Sequence, residues 1–181
     1  MSNSAHAPAR LSTYISVHDN FMQVLRRGTV VRHDSLQFKD WPETITLTGE
    51  IGCVGNILIQ VNKALAIIEP GEDPLVQTIT YSYNAWVRNH RTFLRYDNSH
   101  PHKGHADPHH KHVQDWRTGK GRVYWVGEAK WPSLSDVAHE VETWYWEHRE
   151  ELPEPEAVAV LGLWGPSQQD DEEEEKEASH D

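Results

Sequence analysis

Cysteine is nearly absent from this chain, since Cys53 is the only one among 181 residues. No disulfide can form within one chain, which excludes the small disulfide-built scaffolds of secreted proteins. Long apolar runs are also missing, because no stretch approaches the roughly 18 residues that a membrane helix needs. Residues 1–14 contain no apolar core of a secretory signal. We therefore expect a cytoplasmic location and no association with a membrane.

Positive charge is scarce overall, but its distribution is uneven. The formal net charge is −11, with 17 Lys and Arg against 28 Asp and Glu. Residues 77–131 nevertheless carry nine basic and four acidic residues, whereas residues 132–181 carry two and sixteen. Because local charge decides what a surface attracts, the acidic total does not exclude a polyanion as the partner of the basic middle segment.

Alternation of apolar and polar residues predicts an antiparallel sheet. In one period-2 pattern, Ile45, Leu47 and Ile51 share a side, which is typical of a half-buried strand. Strands are predicted at 44–53, 57–68, 77–88, 91–97 and 122–126. Short turns between consecutive strands indicate a meander. Within 91–97, the alternation places Leu94 and Tyr96 on one face, and the opposite face has Phe93, Arg95 and Asp97.

The strongest helical pattern covers residues 133–150. Ser133 and Asp136 fit a capping box, and apolar residues recur at three- and four-residue spacing from Leu134 to Val141. A shorter helix at 19–27 and a sixth strand at 157–164 are further expectations. We predict an α+β fold, an antiparallel meander of four to five strands packed on a C-terminal amphipathic helix. This domain covers 13–164, between a flexible N-terminus at 1–12 and a disordered acidic tail at 165–181.

Histidine is over-abundant between Arg95 and His112, where six of the thirteen histidines fall. Imidazole titrates near neutrality, so the cluster suggests proton transfer, metal binding or pH sensing. His110 and His112 are two residues apart and therefore point the same way on an extended segment. They could serve as the base and the acid of metal-free RNA cleavage. Asp97 could orient one imidazole, and Arg95 or Lys111 could stabilise the phosphorane charge.

Two other interpretations compete with catalysis. His110 and His112 could join Asp97 or Asp107 as three metal ligands and leave one coordination position open. However, the sequence has neither an HExxH motif nor a second cysteine, and we predict no cofactor. In the third interpretation, the histidines belong to a solvated loop and have no chemical role.

Four short motifs occur in this region, namely YSY at 81–83, FLRYDN at 93–98, KGH at 103–105 and HHKH at 109–112. With these motifs, residues 77–150 resemble the TumE-like family of toxins. The resemblance implies a small antiparallel sheet with a YDN motif, a His-rich loop that ends in HxH, a strand and an amphipathic helix. It also implies the toxin of a type II toxin–antitoxin pair, presumed to be a ribonuclease. The implied partner is an antitoxin protein from a neighbouring gene.

We accordingly predict a metal-independent endoribonuclease with RNA as its substrate. The predicted catalytic residues, which would become the ligands of a metal-dependent enzyme, are His110, His112 and Asp97. The predicted substrate-binding residues are Arg95, Lys111, Asn98, Tyr96 and Lys103. The alternatives are a non-enzymatic module that binds nucleic acid or a protein partner, and a metal-dependent hydrolase. The sequence leaves open whether the chain forms a homodimer.

Overall fold

The computed structural model describes residues 7–100 and 107–153. Within these residues the chain forms an α+β fold of nine strands and two α-helices. The strands are β1 (Ala9–Arg10), β2 (Val31–Asp34), β3 (Gln37–Asp40), β4 (Thr44–Cys53), β5 (Ile57–Glu69), β6 (Leu75–Val87), β7 (Thr92–Asp97), β8 (His110–Gln114) and β9 (Gly121–Trp125). The helices are α1 (Leu11–Arg27) and α2 (Leu134–His148). The predicted sixth strand at 157–164 lies outside the described residues.

All nine strands belong to one antiparallel sheet with the order β2-β4-β5-β6-β7-β8-β9. Three long strands of 10, 13 and 13 residues, β4 to β6, form its centre. The short strands β2 and β3 both pair with β4, and β1 pairs with the start of β6. From β4 to β9 each strand pairs with the next one along the chain, which confirms the predicted meander.

The predicted number of four to five strands is wrong, because the described residues contain four more. β2 and β3 have four residues each and mix charged with apolar side chains, so no period-2 pattern marks them. β1 has only two residues. β8 begins with the polar run HKH, which by composition is typical of a loop. It becomes a strand because its backbone pairs with β7 on one side and with β9 on the other.

The prediction of a single packing helix was incomplete, since α1 also covers the sheet. The expected capping box of α2 is present, with Asp136 N donating to Ser133 Oγ and Ser133 N donating to Asp136 Oδ2. α1 begins at Leu11 rather than at residue 19. Its β-branched residues weaken helix propensity, and the buried Met22 and the half-buried Tyr14 stabilise it through tertiary packing. Within 7–100 and 107–153, neither helix has the length and hydropathy needed to cross a membrane.

The two faces of the sheet differ in chemistry. The helical face, which α1 and α2 cover, buries apolar side chains such as Leu47, Ile51, Val61 and Ala85. The opposite side, here called the polar face, receives the alternating residues of the same strands. This division follows from the period-2 arrangement of side chains along each strand.

The strand register aligns the polar face into two rows of side chains that run across the strands. The first row, from β4 to β9, is Thr48, Asn62, Ser82, Asp97, His110 and Trp125. The second row is Glu50, Gln60, Asn84, Arg95, His112 and Val123. Directly paired residues have Cβ atoms about 4.5–5.5 Å apart, so each row places its members in lateral contact.

Phe93 departs from the alternation predicted for β7. The register shifts between Ala85 and Trp86 opposite this position, which leaves an extra residue in β7. Such a bulge lets two successive residues face the same side. Phe93 is buried on the helical face, where its ring stacks on Trp144 of α2 with centroids 3.8 Å apart. Arg95 and Asp97 keep their predicted face.

Candidate active site

Asp97 lies at the centre of a polar cluster, and its side chain is completely buried. Arg95 Nε donates to Asp97 Oδ2 at 2.7 Å. Ser99 Oγ donates to the other oxygen, Oδ1, at 3.1 Å, and His100 Nδ1 lies 3.1 Å from that same atom. A buried carboxylate is costly unless it is paired and hydrogen-bonded. The guanidinium and the hydroxyl therefore compensate the burial of Asp97.

His110 is the second fully buried member of the cluster. Its Nδ1 lies 2.7 Å from the carbonyl oxygen of Pro108. Because a carbonyl can only accept, Nδ1 must carry a proton. Nε2 lies 3.4 Å from Asp97 Oδ2, beyond the usual 2.7–3.2 Å range of N–H···O hydrogen bonds. The imidazole is thus oriented by Pro108 and directs its other nitrogen at Asp97.

His112 continues the cluster along the second row, where Arg95 is its cross-strand partner. The rings of His110 and His112 have centroids 4.9 Å apart. One ligand atom from each of Asp97, His110 and His112 lies within 4.8 Å of the other two. The structure therefore brings together four of the predicted site residues, namely Arg95, Asp97, His110 and His112.

A protein-family model described as Toxin TumE matches residues 21–145. The chain belongs to this toxin family. The match begins before residue 77, where the resemblance described above starts, so β2 to β5 and most of the sheet lie within the matched region. No curated protein and no solved structure matches the chain significantly.

The YDN motif of this TumE-family chain divides between three roles. Tyr96 faces α2 and donates to Glu140 Oε2 at 2.7 Å. Burial and the adjacent Glu140 raise the pKa of Tyr96, so its phenol stays protonated as a donor. Asn98 accepts from Tyr81 N at 2.8 Å and donates to the Ile79 carbonyl at 3.0 Å, which ties the end of β7 to β6. Of the three residues, Asp97 is the one that reaches the imidazoles.

The HKH motif divides in the same way. Lys111 lies on the helical face, where its ammonium pairs with Glu140 and sits 5.2 Å from the centroid of the Tyr96 ring. The structure therefore does not bring the predicted substrate-binding residues Tyr96, Asn98 and Lys111 to the cluster of Asp97, His110 and His112. Lys103 lies outside the described residues.

His109 lies on the helical face, next to His110 in the chain but turned away from it. Its Nδ1 is 3.1 Å from Tyr81 Oη, and its ring packs against Trp131 with centroids 4.8 Å apart. Burial lowers the pKa of His109 and raises the pKa of Tyr81. Asp107 Oδ1 accepts from His109 N at 2.9 Å. These contacts position the chain where it enters β8.

Sequence reasoning did not single out three neighbours of the cluster. Ser99 and His100 contact Asp97 directly, and the His100 ring lies 5.0 Å from that of His110. Trp125 is 38% exposed beside His110, with ring centroids 5.6 Å apart. Trp125 belongs to the site because it lies opposite His110 in the sheet. This placement is known only from the pairing of β8 with β9.

A cavity of about 210 Å³ extends the polar face next to the cluster. Its walls include Thr48, Asn62 and Ser82 of the first row, and Ser99 links it to Asp97. Hydroxyl and amide groups of this kind can both donate and accept hydrogen bonds. The TumE-family site therefore combines a buried carboxylate, two imidazoles and a guanidinium with an adjacent groove, whose lining includes Thr, Asn and Ser side chains together with Lys63.

Proposed function

We propose that this toxin cleaves RNA by metal-independent acid–base chemistry at Asp97, His110 and His112. The observation that carries the proposal is the side-by-side placement of Asp97 with His110 and of Arg95 with His112 on adjacent strands. Metal-free cleavage of RNA needs a base, an acid and a cation at one phosphate. These four side chains supply all three.

The reaction begins when His112 accepts the proton of the ribose 2′-hydroxyl. The 2′-oxygen then forms a bond to phosphorus, and the bond from phosphorus to the 5′-oxygen breaks. His110 donates a proton to that 5′-oxygen, which leaves as a hydroxyl, and the other product carries a 2′,3′-cyclic phosphate. The contact of 3.4 Å between His110 Nε2 and Asp97 Oδ2 makes Nε2 the ring atom that donates this proton, because Nδ1 is committed to the Pro108 carbonyl.

Arg95 supplies the cation for the developing phosphorane charge. Its Nε is committed to Asp97, while the side chain as a whole is 40% exposed. A guanidinium has five N–H donors, so its outer donors can contact a phosphate while Nε keeps the Asp97 contact. The exposed Trp125 on one side and the Thr and Asn groove on the other side are suited to the neighbouring nucleotides.

The test of this function is cleavage of a synthetic single-stranded RNA by the untagged full-length chain in buffer with EDTA. We expect a 2′,3′-cyclic phosphate product, and no cleavage of the same oligonucleotide when it carries a 2′-deoxyribose at the scissile position. His112→Ala should abolish both cleavage and growth inhibition on expression. His139→Ala is the matched control, because His139 is 84% exposed on α2, which packs on the opposite face of the sheet. Growth inhibition that persists in His112→Ala, or salt-sensitive RNA binding without any product, would contradict the assignment.

An antitoxin partner belongs to the same proposal, since membership of a toxin family suggests one. We propose that the partner is a protein from a neighbouring gene. Its co-expression should restore growth and should yield a complex that co-purifies with the chain. Growth that stays arrested in the presence of each neighbouring gene product would contradict this part of the proposal.

A further inference from the structure

We infer that Asp97, His110 and His112 also form a reversible Zn²⁺ site, and that Zn²⁺ inhibits the toxin by occupying it. This inference rests on the proposed function, because the same two imidazoles would move the protons. It concerns regulation of the site and assigns the ion no part in the reaction.

The spacing of Asp97 and His110 suits a tetrahedral ion better than it suits a hydrogen bond. Two ligands about 2.05 Å from a tetrahedral Zn²⁺ lie roughly 3.3 Å apart. The observed separation of His110 Nε2 from Asp97 Oδ2 is 3.4 Å. His112 completes a set of three ligand atoms that lie within 4.8 Å of one another. An ion between them requires side-chain shifts of about 1 Å.

The surroundings of His110 also match those of a metal ligand. In metal sites, a ligating histidine usually donates its second ring N–H to a carbonyl or a carboxylate, which fixes the ring and its tautomer. His110 Nδ1 makes this contact with the Pro108 carbonyl at 2.7 Å. Its neutral form therefore presents the lone pair of Nε2 to the Asp97 carboxylate. A ring nitrogen and a carboxylate oxygen that face each other in a buried site favour a divalent cation between them.

Arg95 makes the site suitable for reversible occupation. Its Nε lies 2.7 Å from Asp97 Oδ2, the same oxygen that faces His110. A guanidinium this close repels a divalent ion and competes for the lone pairs of the carboxylate. The affinity is therefore lower than in a site with unshared ligands. A bound Zn²⁺ would also hold the lone pairs of both imidazoles and so block proton exchange.

Zn²⁺ binding is measured by calorimetry on the untagged full-length chain after treatment with EDTA, and by the visible absorption of bound Co²⁺. We expect one specific equivalent of Zn²⁺, and a loss of affinity of at least about tenfold in Asp97→Asn and in His112→Ala. We expect His112→Ala to disturb folding less than Asp97→Asn, because the side chain of His112 is less buried than that of Asp97. Cys53 does not compete as a ligand, since burial raises the pKa of its thiol to about 12.

Two control variants separate this site from adventitious binding by other histidines. His139→Ala removes an exposed histidine that also has a nearby carboxylate, Glu142, at 3.7 Å. The double variant His102→Ala, His105→Ala removes two histidines of the His-rich segment. Both controls should keep the specific equivalent of Zn²⁺. Zn²⁺ affinity that is unchanged in Asp97→Asn and His112→Ala, or that is lost only in the control variants, would overturn the proposed Zn²⁺ site.

RNA cleavage in the same samples gives the second measurement. Saturating Zn²⁺ should reduce cleavage by at least about tenfold in step with occupancy, and EDTA should restore it. Cleavage that requires Zn²⁺ and stops with EDTA would overturn the inhibition and indicate a metal-dependent hydrolase. If Zn²⁺ binds as described but no condition yields RNA cleavage, the metal site is upheld and the nuclease function fails.

Discussion

Strands β7 and β8 contribute side chains to both the helical face and the polar face of the sheet. The side chains on the two faces differ in their chemistry and in their partners. On the helical face, Tyr96 and Lys111 converge on Glu140 of α2, and their charges and hydrogen bonds serve to dock a helix. On the polar face, Asp97 of β7 and His110 of β8 face each other across the strand pair, with His110 Nε2 3.4 Å from Asp97 Oδ2. Neighbouring residues of one motif therefore have separate roles.

The role of each residue in a strand motif therefore follows from the face of the sheet on which its side chain lies. YDN and HKH both contribute alternate residues to the two faces. On the helical face, Glu140 pairs with both Tyr96 and Lys111 and so stabilises the docked helix. On the polar face, a carboxylate and two imidazoles lie together, and these are the group types that proton transfer and metal binding use. Variants of adjacent residues can separate these two contributions.

The largest expected difference in cleavage rate is between two single variants, Asp97→Asn on the polar face and Tyr96→Phe on the helical face. Asp97→Asn should lower the rate of RNA cleavage by about 100-fold or more, because it removes the negative charge that faces Nε2 of His110, the proposed proton donor. Tyr96→Phe should leave the rate within about threefold and lower the free energy of unfolding by about 1 kcal/mol through loss of one hydrogen bond. Single-turnover kinetics and urea unfolding measure the two effects. Equal losses of cleavage rate in both variants would contradict separate roles for the two faces.

A smaller effect is expected at Trp125, which is the exposed aromatic residue of the first row. In a His112→Ala background that prevents cleavage, Trp125→Ala should weaken binding of single-stranded RNA by about 1–3 kcal/mol. Trp125→Phe should retain most of the affinity because a ring remains for stacking. Fluorescence anisotropy with a labelled oligonucleotide gives both values. An Ala variant that binds as well as the Phe variant would exclude base stacking at this position.

Removal of Glu140 tests the helical face alone. Glu140→Ala deprives Tyr96 and Lys111 of their shared partner, and we expect a loss of about 1–2 kcal/mol in the free energy of unfolding. Cleavage of RNA and binding of Zn²⁺ should be unchanged below the denaturation temperature. Thermal unfolding of the variant, measured next to wild type and His139→Ala, provides the comparison. A variant that loses activity while folded would link the two faces.

The smallest effect concerns pH and His18 of α1. Burial lowers the pKa of His18 below its ordinary value of 6.5, so the folded chain holds this imidazole neutral. The unfolded chain therefore binds more protons near that pH, and the stability from this group is lost as the pH falls through 6.5. Urea midpoints between pH 7.5 and 5.5 should decline less in His18→Gln than in wild type. Parallel declines would assign the pH dependence to other groups.

Much of the architecture was predictable from local pattern. The alternation in β4 to β7 and the capping box of Ser133 and Asp136 depend on nearby residues only, and the structure confirms both. The strands β2 and β3 were missed because four mixed residues at a sheet edge have no distinctive pattern. α1 was predicted too short because its first half is stabilised by packing of Tyr14 rather than by helix propensity.

The spacing of residues along the chain is enough to predict which side chains can share a face of a strand. Arg95 and Asp97 are two positions apart, as are His110 and His112, and the period of a strand turns both members of each pair to one side. The folded sheet, through the pairing of β7 with β8, places Asp97 opposite His110 and Arg95 opposite His112. The tertiary structure also brings Lys111 to Glu140, 29 residues further along the chain. Strand register and helix docking depend on loop closure and core packing between distant segments, which no local pattern encodes.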